Sequence, residues 1–595
     1  MKDFFKTFFA VVLGLCVFSG LAVAAFFLFI AAVGASSANR PEVPSKAVLV
    51  FDLSSNIPDH IDDSDPQAAL QKILNKGPRE LELDSILRAL DHAASDDRIA
   101  AVYLTGNLQP QGYGTGFAAL QEIRQALQRV AAKKPVLSYD MAFAKRDYYL
   151  ASVGKVYLNP FGEVEVNGLA AEPMFYGDAF QKYGIQVQVT RVGKFKSAVE
   201  PFILDKMSPE NREQVQALLD DVWSVWKSDV AASRHTTAGA LQALADTKGI
   251  LPGDEAQAAG LVDEVRPYDA MLADLKKIAG RSEKARDFPQ IDLASYIDAL
   301  PDQAPGAKVA VVYAEGEIVD GDGQAGQIGG DSLARELRRV RQDASIKAVV
   351  LRVNSPGGSA AASDLIQREV ILTRQAKPLI ISMGTVAASG GYWISTYGDR
   401  IFAEPGTITG SIGVFGLLPN LQKLANDHGI TFDEVTTAKM ANPMTLSRPK
   451  TPEEIARIQG LVDRIYDQFL TKVSESRGLP KGGVNEIAQG RVWSGQRALQ
   501  LHLVDEMGGL QDAVRFAAKK AGLGSGYEVI TGGEEKTPLQ KLIEGLGDNA
   551  RPRPVAKSGP LQQVLGQAQQ GFNLLSSLND PQGVYARLPM DLTMR

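Results

Sequence analysis

The chain has 595 residues, 45% of them hydrophobic and 22% charged, with a formal net charge of −6; such a length calls for roughly two to four domains with sizeable cores. The charge balance gives no basic excess for a nucleic-acid partner and no long acidic run for a solvating tail. The single cysteine, Cys16, excludes an intramolecular disulfide.

The first element is a membrane signal. Residues 8–33 carry no charge, and as a helix they would span roughly 39 Å at about 1.5 Å per residue, enough for a tilted bilayer crossing. Secretory apolar regions are shorter, about 7–15 residues, so an uncleaved anchor over 8–34 is expected after a short cytoplasmic segment, 1–7. The small residues Gly34, Ala35, Ser36, Ser37 and Ala38 leave a cleaved signal as the alternative. Lys2, Lys6 and the amino terminus precede the apolar run, and Arg40 and Lys46 follow it. That slight bias favours a cytoplasmic N-terminus and a single-pass inner-membrane protein, with the rest of the chain in the periplasm of a Gram-negative cell.

The next 480 residues or so read as one α/β domain written twice. Asp84-Ser-Ile-Leu-Arg-Ala-Leu leads to the apolar run from Ile99 to Leu104, and Asp331-Ser-Leu-Ala-Arg-Glu-Leu leads to the run from Ile346 to Leu351. Tyr149-Leu-Ala-Ser-Val-Gly matches Trp393-Ile-Ser-Thr-Tyr-Gly, and Gly260-Leu-Val-Asp-Glu matches His502-Leu-Val-Asp-Glu. Short apolar strands alternate with amphipathic helices, which predicts α/β domains with much parallel pairing. The expected copies are 46–290 and 308–525, joined through Pro289, Pro301 and Pro305. The basic cluster Arg335, Arg338, Arg339 and Arg341 falls at helical spacing and reads as a solvated face. A Gly-, Pro- and Gln-rich extension, 526–595, is expected to hold one or two short helices and otherwise to wrap or move.

The copies differ where chemistry enters. The second has two glycine turns after predicted strands: Asn354-Ser-Pro-Gly-Gly-Ser359 and Ala387-Ala-Ser-Gly-Gly391. Glycine lets a backbone approach a ligand and frees N–H groups to face it. A serine followed by two glycines at a strand-to-helix turn suits an exposed nucleophile beside an oxyanion hole. A tight structural turn explains either motif alone; the pair, one strand apart, favours chemistry. In the first copy Ser389 is matched by Lys145, and the Pro-Gly-Gly turn by Asn107-Leu-Gln-Pro110.

A nucleophilic serine needs a base. None of the five histidines, His60, His92, His235, His428 and His502, sits in a motif. Lysine is the other partner known in acyl transfer, once burial or nearby positive charge lowers its pKa from about 10.4. Lys196 lies just past a predicted strand over 185–192, with Lys194 its nearest rival and a surface role the bland alternative. Its place in the second copy falls near Asn442. One copy keeps a lysine and the other a serine, as a site shared between copies would require.

These motifs resemble the long, duplicated form of the signal peptide peptidase (protease IV) family. The resemblance rests on Gly193-Lys-Phe-Lys-Ser-Ala-Val-Glu-Pro-Phe202, Asn354-Ser-Pro-Gly-Gly-Ser359, Ala387-Ala-Ser-Gly-Gly-Tyr-Trp-Ile-Ser395 and Thr409-Gly-Ser-Ile-Gly-Val414. It also takes in the N-terminal segment and both repeats. It implies two tandem crotonase/Clp-protease-like domains behind one transmembrane helix, assembled as a homotetramer. It implies Ser389 as nucleophile, Lys196 as general base and Ser411 as the residue positioning the lysine. Backbone N–H groups of Gly357, Gly358 and Gly390 would form the oxyanion hole. The implied substrates are remnant signal peptides and other short apolar peptides, with no metal, cofactor or nucleic acid. Two rivals remain: a crotonase-type enzyme on acyl-CoA thioesters, and a membrane scaffold of degenerate protease-like domains.

Overall fold

The computed structural model describes residue 14 and residues 40–61, 79–303, 305–324, 326–524, 526–532, 580 and 584–588. Apart from Gly14, the expected anchor over 8–34 lies outside these residues. Among the described residues no helix is long and apolar enough to cross a membrane.

Each repeat forms a mostly parallel sheet, because its strands are β-branched and aliphatic runs that helices cover. In the first, the order is Gln290–Asp292, Ala47–Asp52, Ile99–Thr105, Val136–Phe143, Lys155–Glu165 and Ile250–Pro252. In the second it is Val492–Ser494, Ile408–Gly410, Leu379–Ala388, Ile346–Ser355, Ala307–Glu315 and Tyr527–Thr531. The duplication extends to single contacts. Tyr148 donates to Leu261 O at 2.7 Å, and its counterpart Tyr392 donates to Leu503 O at 3.0 Å. Arg234 pairs with Asp263 as Arg477 pairs with Asp505. Two 26-residue helices, Pro209–Arg234 and Pro452–Arg477, each follow a hydroxyl N-cap, Ser208 or Thr451, with proline at the first helical position. The cap accepts from one of the orphan N–H groups of the first turn, and the proline removes another.

A third sheet joins the repeats. Its order is Gln327–Gly329, Glu317–Val319, Gly357–Ser359, Val584–Arg587, Val414–Asn420 and Gln186–Val192. The last two strands, one from each repeat, pair antiparallel over their full length, from Val414 opposite Val192 to Asn420 opposite Gln186. A buried ionic knot adds a second joint. Asp59 and Glu122 of the first repeat accept from Arg352 of the second at 2.8 and 2.7 Å, and Glu122 also accepts from the Leu510 N–H.

The boundaries differ from those expected. Gln290–Asp292 adds an edge strand past 290, and Tyr296, on the helix behind it, is buried in the first core. Tyr527–Thr531 extends the second sheet past 525, pairing in parallel with Ala307–Glu315. The short helices expected in the extension lie outside the described residues; its described part contributes the strands Tyr527–Thr531 and Val584–Arg587. A strand donor with no long periodic pattern of its own gives no signal until its partners are known.

Candidate active site

Ser389 ends the strand Leu379–Ala388 and precedes the short helix Gly390–Ser395. Its backbone is left-handed, φ 57° and ψ −112°, a strained setting for a residue with a Cβ. Its N–H donates to Gly410 O at 2.8 Å, so that donor is committed to the fold. Ser411, the next residue after that strand edge, is also left-handed at φ 50° and donates its N–H to Arg491 O.

Lys196 reaches these serines from the other repeat. The joining strand Gln186–Val192 ends at Gly193, whose φ of +100° turns the chain; a Cβ there would lie 2.4 Å from the backbone of Gln489. Phe195 then donates its N–H to Gln489 O at 2.9 Å. Gly490, at φ +77°, leaves room for the lysine: a Cβ would lie 2.6 Å from Lys196 Cβ. Gln214 braces the turn from the long helix, donating to Phe195 O at 2.9 Å and accepting from the Val492 N–H.

The result is a dry cluster. Lys196 Nζ lies 2.7 Å from Ser389 Oγ and 3.0 Å from Ser411 Oγ, and donates to Ser411 O at 3.1 Å. All three side chains are fully buried, at 0% exposure. Burial, and then the nearby Arg587 guanidinium, holds the ammonium pKa well below the usual lysine value. A neutral amine within hydrogen-bond reach of a serine hydroxyl can accept its proton as the oxygen attacks a carbonyl. The histidines have other roles. His60 pairs with Glu82, His92 with the Tyr296 hydroxyl and His428 with Leu424 O, while His235 ends the helix Pro209–Arg234. Lys194 lies over the Phe195 ring instead.

The two glycine turns converge on one spot. A Cβ on Gly357 would lie 2.5 Å from Gly390 N. Gly357 donates its N–H to Ser355 Oγ at 3.1 Å, which occupies one of the three expected oxyanion donors. A surface recess of about 650 Å³ lies elsewhere, between Lys133, Lys155 and Lys277 of the first repeat. It shares no residue with this cluster, and an apolar-peptide site has no use for its lysines.

The profile of peptidase family S49 matches the chain twice, over residues 128–281 and 371–524. Protease 4 of Salmonella typhi is 33% identical over 94% of both chains. The chain belongs to peptidase family S49.

Protease 4 of Haemophilus influenzae is likewise 33% identical over 94% of both chains. The chloroplastic serine protease SPPA of Arabidopsis thaliana is 31% identical over 85% of this chain and 74% of its own. Among solved structures, a ClpP1 mutant from Listeria monocytogenes covers 35% of this chain and 94% of its own, at 14% identity and a TM-score of 0.24, an overlap too loose to bear on fold or site. This S49 peptidase is a serine protease with an internal repeat. The structure brings together Ser389 and Lys196, expected from the residues, and Ser411, expected only from the family resemblance; Gly490 and Gln214, which shape the lysine's turn, were not anticipated. Counting on equally from the helices Gly177–Lys182 and Gln422–Asp427 sets Ala441, beside Asn442, opposite Lys196, in an exposed loop.

Proposed function

We propose that this S49 peptidase cleaves peptides through a Ser–Lys dyad, Ser389 as nucleophile and Lys196 as general base, and that it clears remnant signal peptides at the membrane. The observation carrying the proposal is the 2.7 Å approach of a fully buried Lys196 amine to a fully buried Ser389 hydroxyl. Ser411, in contact with the same amine, orients it. The lysine takes the serine proton as Oγ attacks the scissile carbonyl, gives it to the leaving amine, and then activates the water that releases the acyl-enzyme. Gly358 and Gly390 are the proposed oxyanion donors, with Gly357 held by Ser355.

Retained by an anchor over 8–34, the catalytic repeats would face the periplasm, where short apolar peptides leave the inner membrane. The resemblance to the long signal peptide peptidases extends this reading to crotonase/Clp-like repeats and to a homotetramer. The names of the similar chains, Protease 4 and SPPA, agree with peptide hydrolysis. The acyl-CoA reading has no use for an amine buried against the serine.

The test is hydrolysis of a quenched signal-peptide fragment by the full chain and two variants. Ser389→Ala and Lys196→Ala are each expected to lose at least about 10³-fold in kcat/KM. Full activity in the Lys196 variant would remove the dyad, and full activity in the Ser389 variant would remove the nucleophile.

A further inference from the structure

We propose that the recess between Lys133, Lys155 and Lys277 binds the phosphate of an anionic phospholipid headgroup and seats the first repeat on the bilayer that anchors the chain. The orientation rests on the anchor over 8–34 proposed above, and the site rests on a difference between the two repeats.

The recess lies on the edge where parallel strands of the first sheet begin, beside Val136, Lys155 and the last turn of the helix Tyr268–Ile278. Four lysines line it, Lys134 being the fourth, against one carboxylate, Asp274. That carboxylate is engaged: it accepts from the Tyr157 hydroxyl at 2.6 Å and pairs with Arg266. Lys134 is committed to the fold through Asp96 O, and Lys155 pairs with Glu264 at 2.6 Å. Lys133 and Lys277 are exposed and have no carboxylate partner among the described residues.

The second repeat closes the same place with an anion of its own. Leu137 pairs with Lys155 as Ile380 pairs with Arg400, which sets the two strands in register. Before Arg400 the second repeat carries one more residue, Asp399, where Gly154 runs directly into Lys155. Asp399 accepts from the Leu379 N–H at 3.0 Å and from Arg374 at 3.2 Å, and lies 3.6 Å from Lys520. Phe516 packs beside it, edge-on to Phe402. In the first repeat Ala131 stands in place of Arg374 and Asp274 in place of Phe516, so both side chains that narrow the site are smaller. One framework therefore holds a negative charge at this position, and the other gathers cations around the position without supplying that charge. Helix dipoles account for lysines on the last turns of the flanking helices, but not for the loss of the acid between them. A phosphate oxygen would stand where the Asp399 carboxylate stands.

The location selects the ligand. The chain is bound to the fold from Arg40, which pairs with Asp302, and from Val43, which is buried. Arg40 follows Val33, the end of the apolar run, by seven residues, a reach of at most about 25 Å. Lys46 then meets the edge of the recess: its Cδ lies 3.4 Å from where a Cβ on Gly280 would be, three residues past Lys277. The anchor thus tethers the edge that carries the recess. Lys46, Lys276 and Arg281 add positive charge around it, and basic residues next to an anchor draw a protein onto anionic headgroups.

Lysine acetylation of the full chain in vesicles, read by peptide mapping, tests this. The vesicles are phosphatidylcholine alone or mixed with phosphatidylglycerol, and flotation is scored in the same samples. Phosphatidylglycerol is expected to slow acetylation of Lys133, Lys155 and Lys277 about fivefold, the scale of one basic residue at an anionic surface. Lys439, exposed in the second repeat, is expected to be unaffected. Lys133→Glu with Lys277→Glu is expected to abolish the protection of Lys155 and still hydrolyse casein, while Lys133→Arg with Lys277→Arg keeps both. Protection that is absent, uniform over the exposed lysines or indifferent to the charge reversal would overturn the site. Equal protection by glycerol phosphate in solution would overturn the lipid assignment. A chain that fails to float on phosphatidylcholine yet shows the pattern on phosphatidylglycerol loses the anchor and keeps the site; one that floats without the pattern keeps the anchor and loses the site.

Discussion

At the scale of single residues, the site depends on an amine whose pKa burial lowers and which a few neighbours without chemistry of their own aim. Gly490 is the sharpest case, since any Cβ there meets Lys196 Cβ at 2.6 Å and Cα at 2.7 Å, at a φ of +77° that disfavours a side chain. Gly490→Ala is therefore expected to lower kcat by about 10²-fold with little change in KM, because displacement of a catalytic group by an ångström has costs of that order. Steady-state kinetics decide the matter; a rise in KM alone would mean that Gly490 shapes the substrate groove instead. Ser389 and Lys196, the proposed nucleophile and base, were legible in the sequence because those two roles demand particular residue types. Gly490 and Gln214 were not, because any fold uses glycine turns and bracing amides, and only the packed lysine gives these two a role.

At the scale of elements, the joint between repeats decides whether the lysine arrives at all. The antiparallel strands Gln186–Val192 and Val414–Asn420 fix its direction. The knot of Arg352 with Asp59 and Glu122 locks the sheets behind it, with the arginine 1% exposed. Removing one partner of a buried pair strands the other charges, so Arg352→Ala is expected to destabilise the chain by about 3–5 kcal/mol. Urea unfolding measures this, and a loss below about 1 kcal/mol would show that water reaches the carboxylates. The duplication was legible because matched helix and strand patterns recur in order along the chain. The third sheet was not. Its strands are as short as three residues, and the joining pair lies more than 200 positions apart in sequence. Periodicity cannot assign partners to such segments.

At the scale of the whole molecule, acid and base chemistry link stability to the interior between repeats. Burial pushes the Glu404 carboxyl up to about 8, and raises that of Glu315 as well. Between an unfolded value near 4.5 and about 8 the folded chain holds a proton at Glu404 that the unfolded chain has released. Stability should therefore fall as pH rises through that window. Glu404→Gln should flatten the fall in denaturation midpoint, and an unchanged slope would show that the carboxyl is ionised in the fold. The same reasoning, with opposite charge, governs Lys196, whose proton must be absent in the proposed mechanism. Fluorophosphonate labelling from about pH 6 to 10 reads this directly. The wild type is expected to label at Ser389 with a rate that rises through an apparent pKa well below the usual lysine value, and Lys196→Met to lose that labelling. Equal labelling of Ser389 by wild type and Lys196→Met at every pH would contradict a serine activated by the lysine of the opposite repeat.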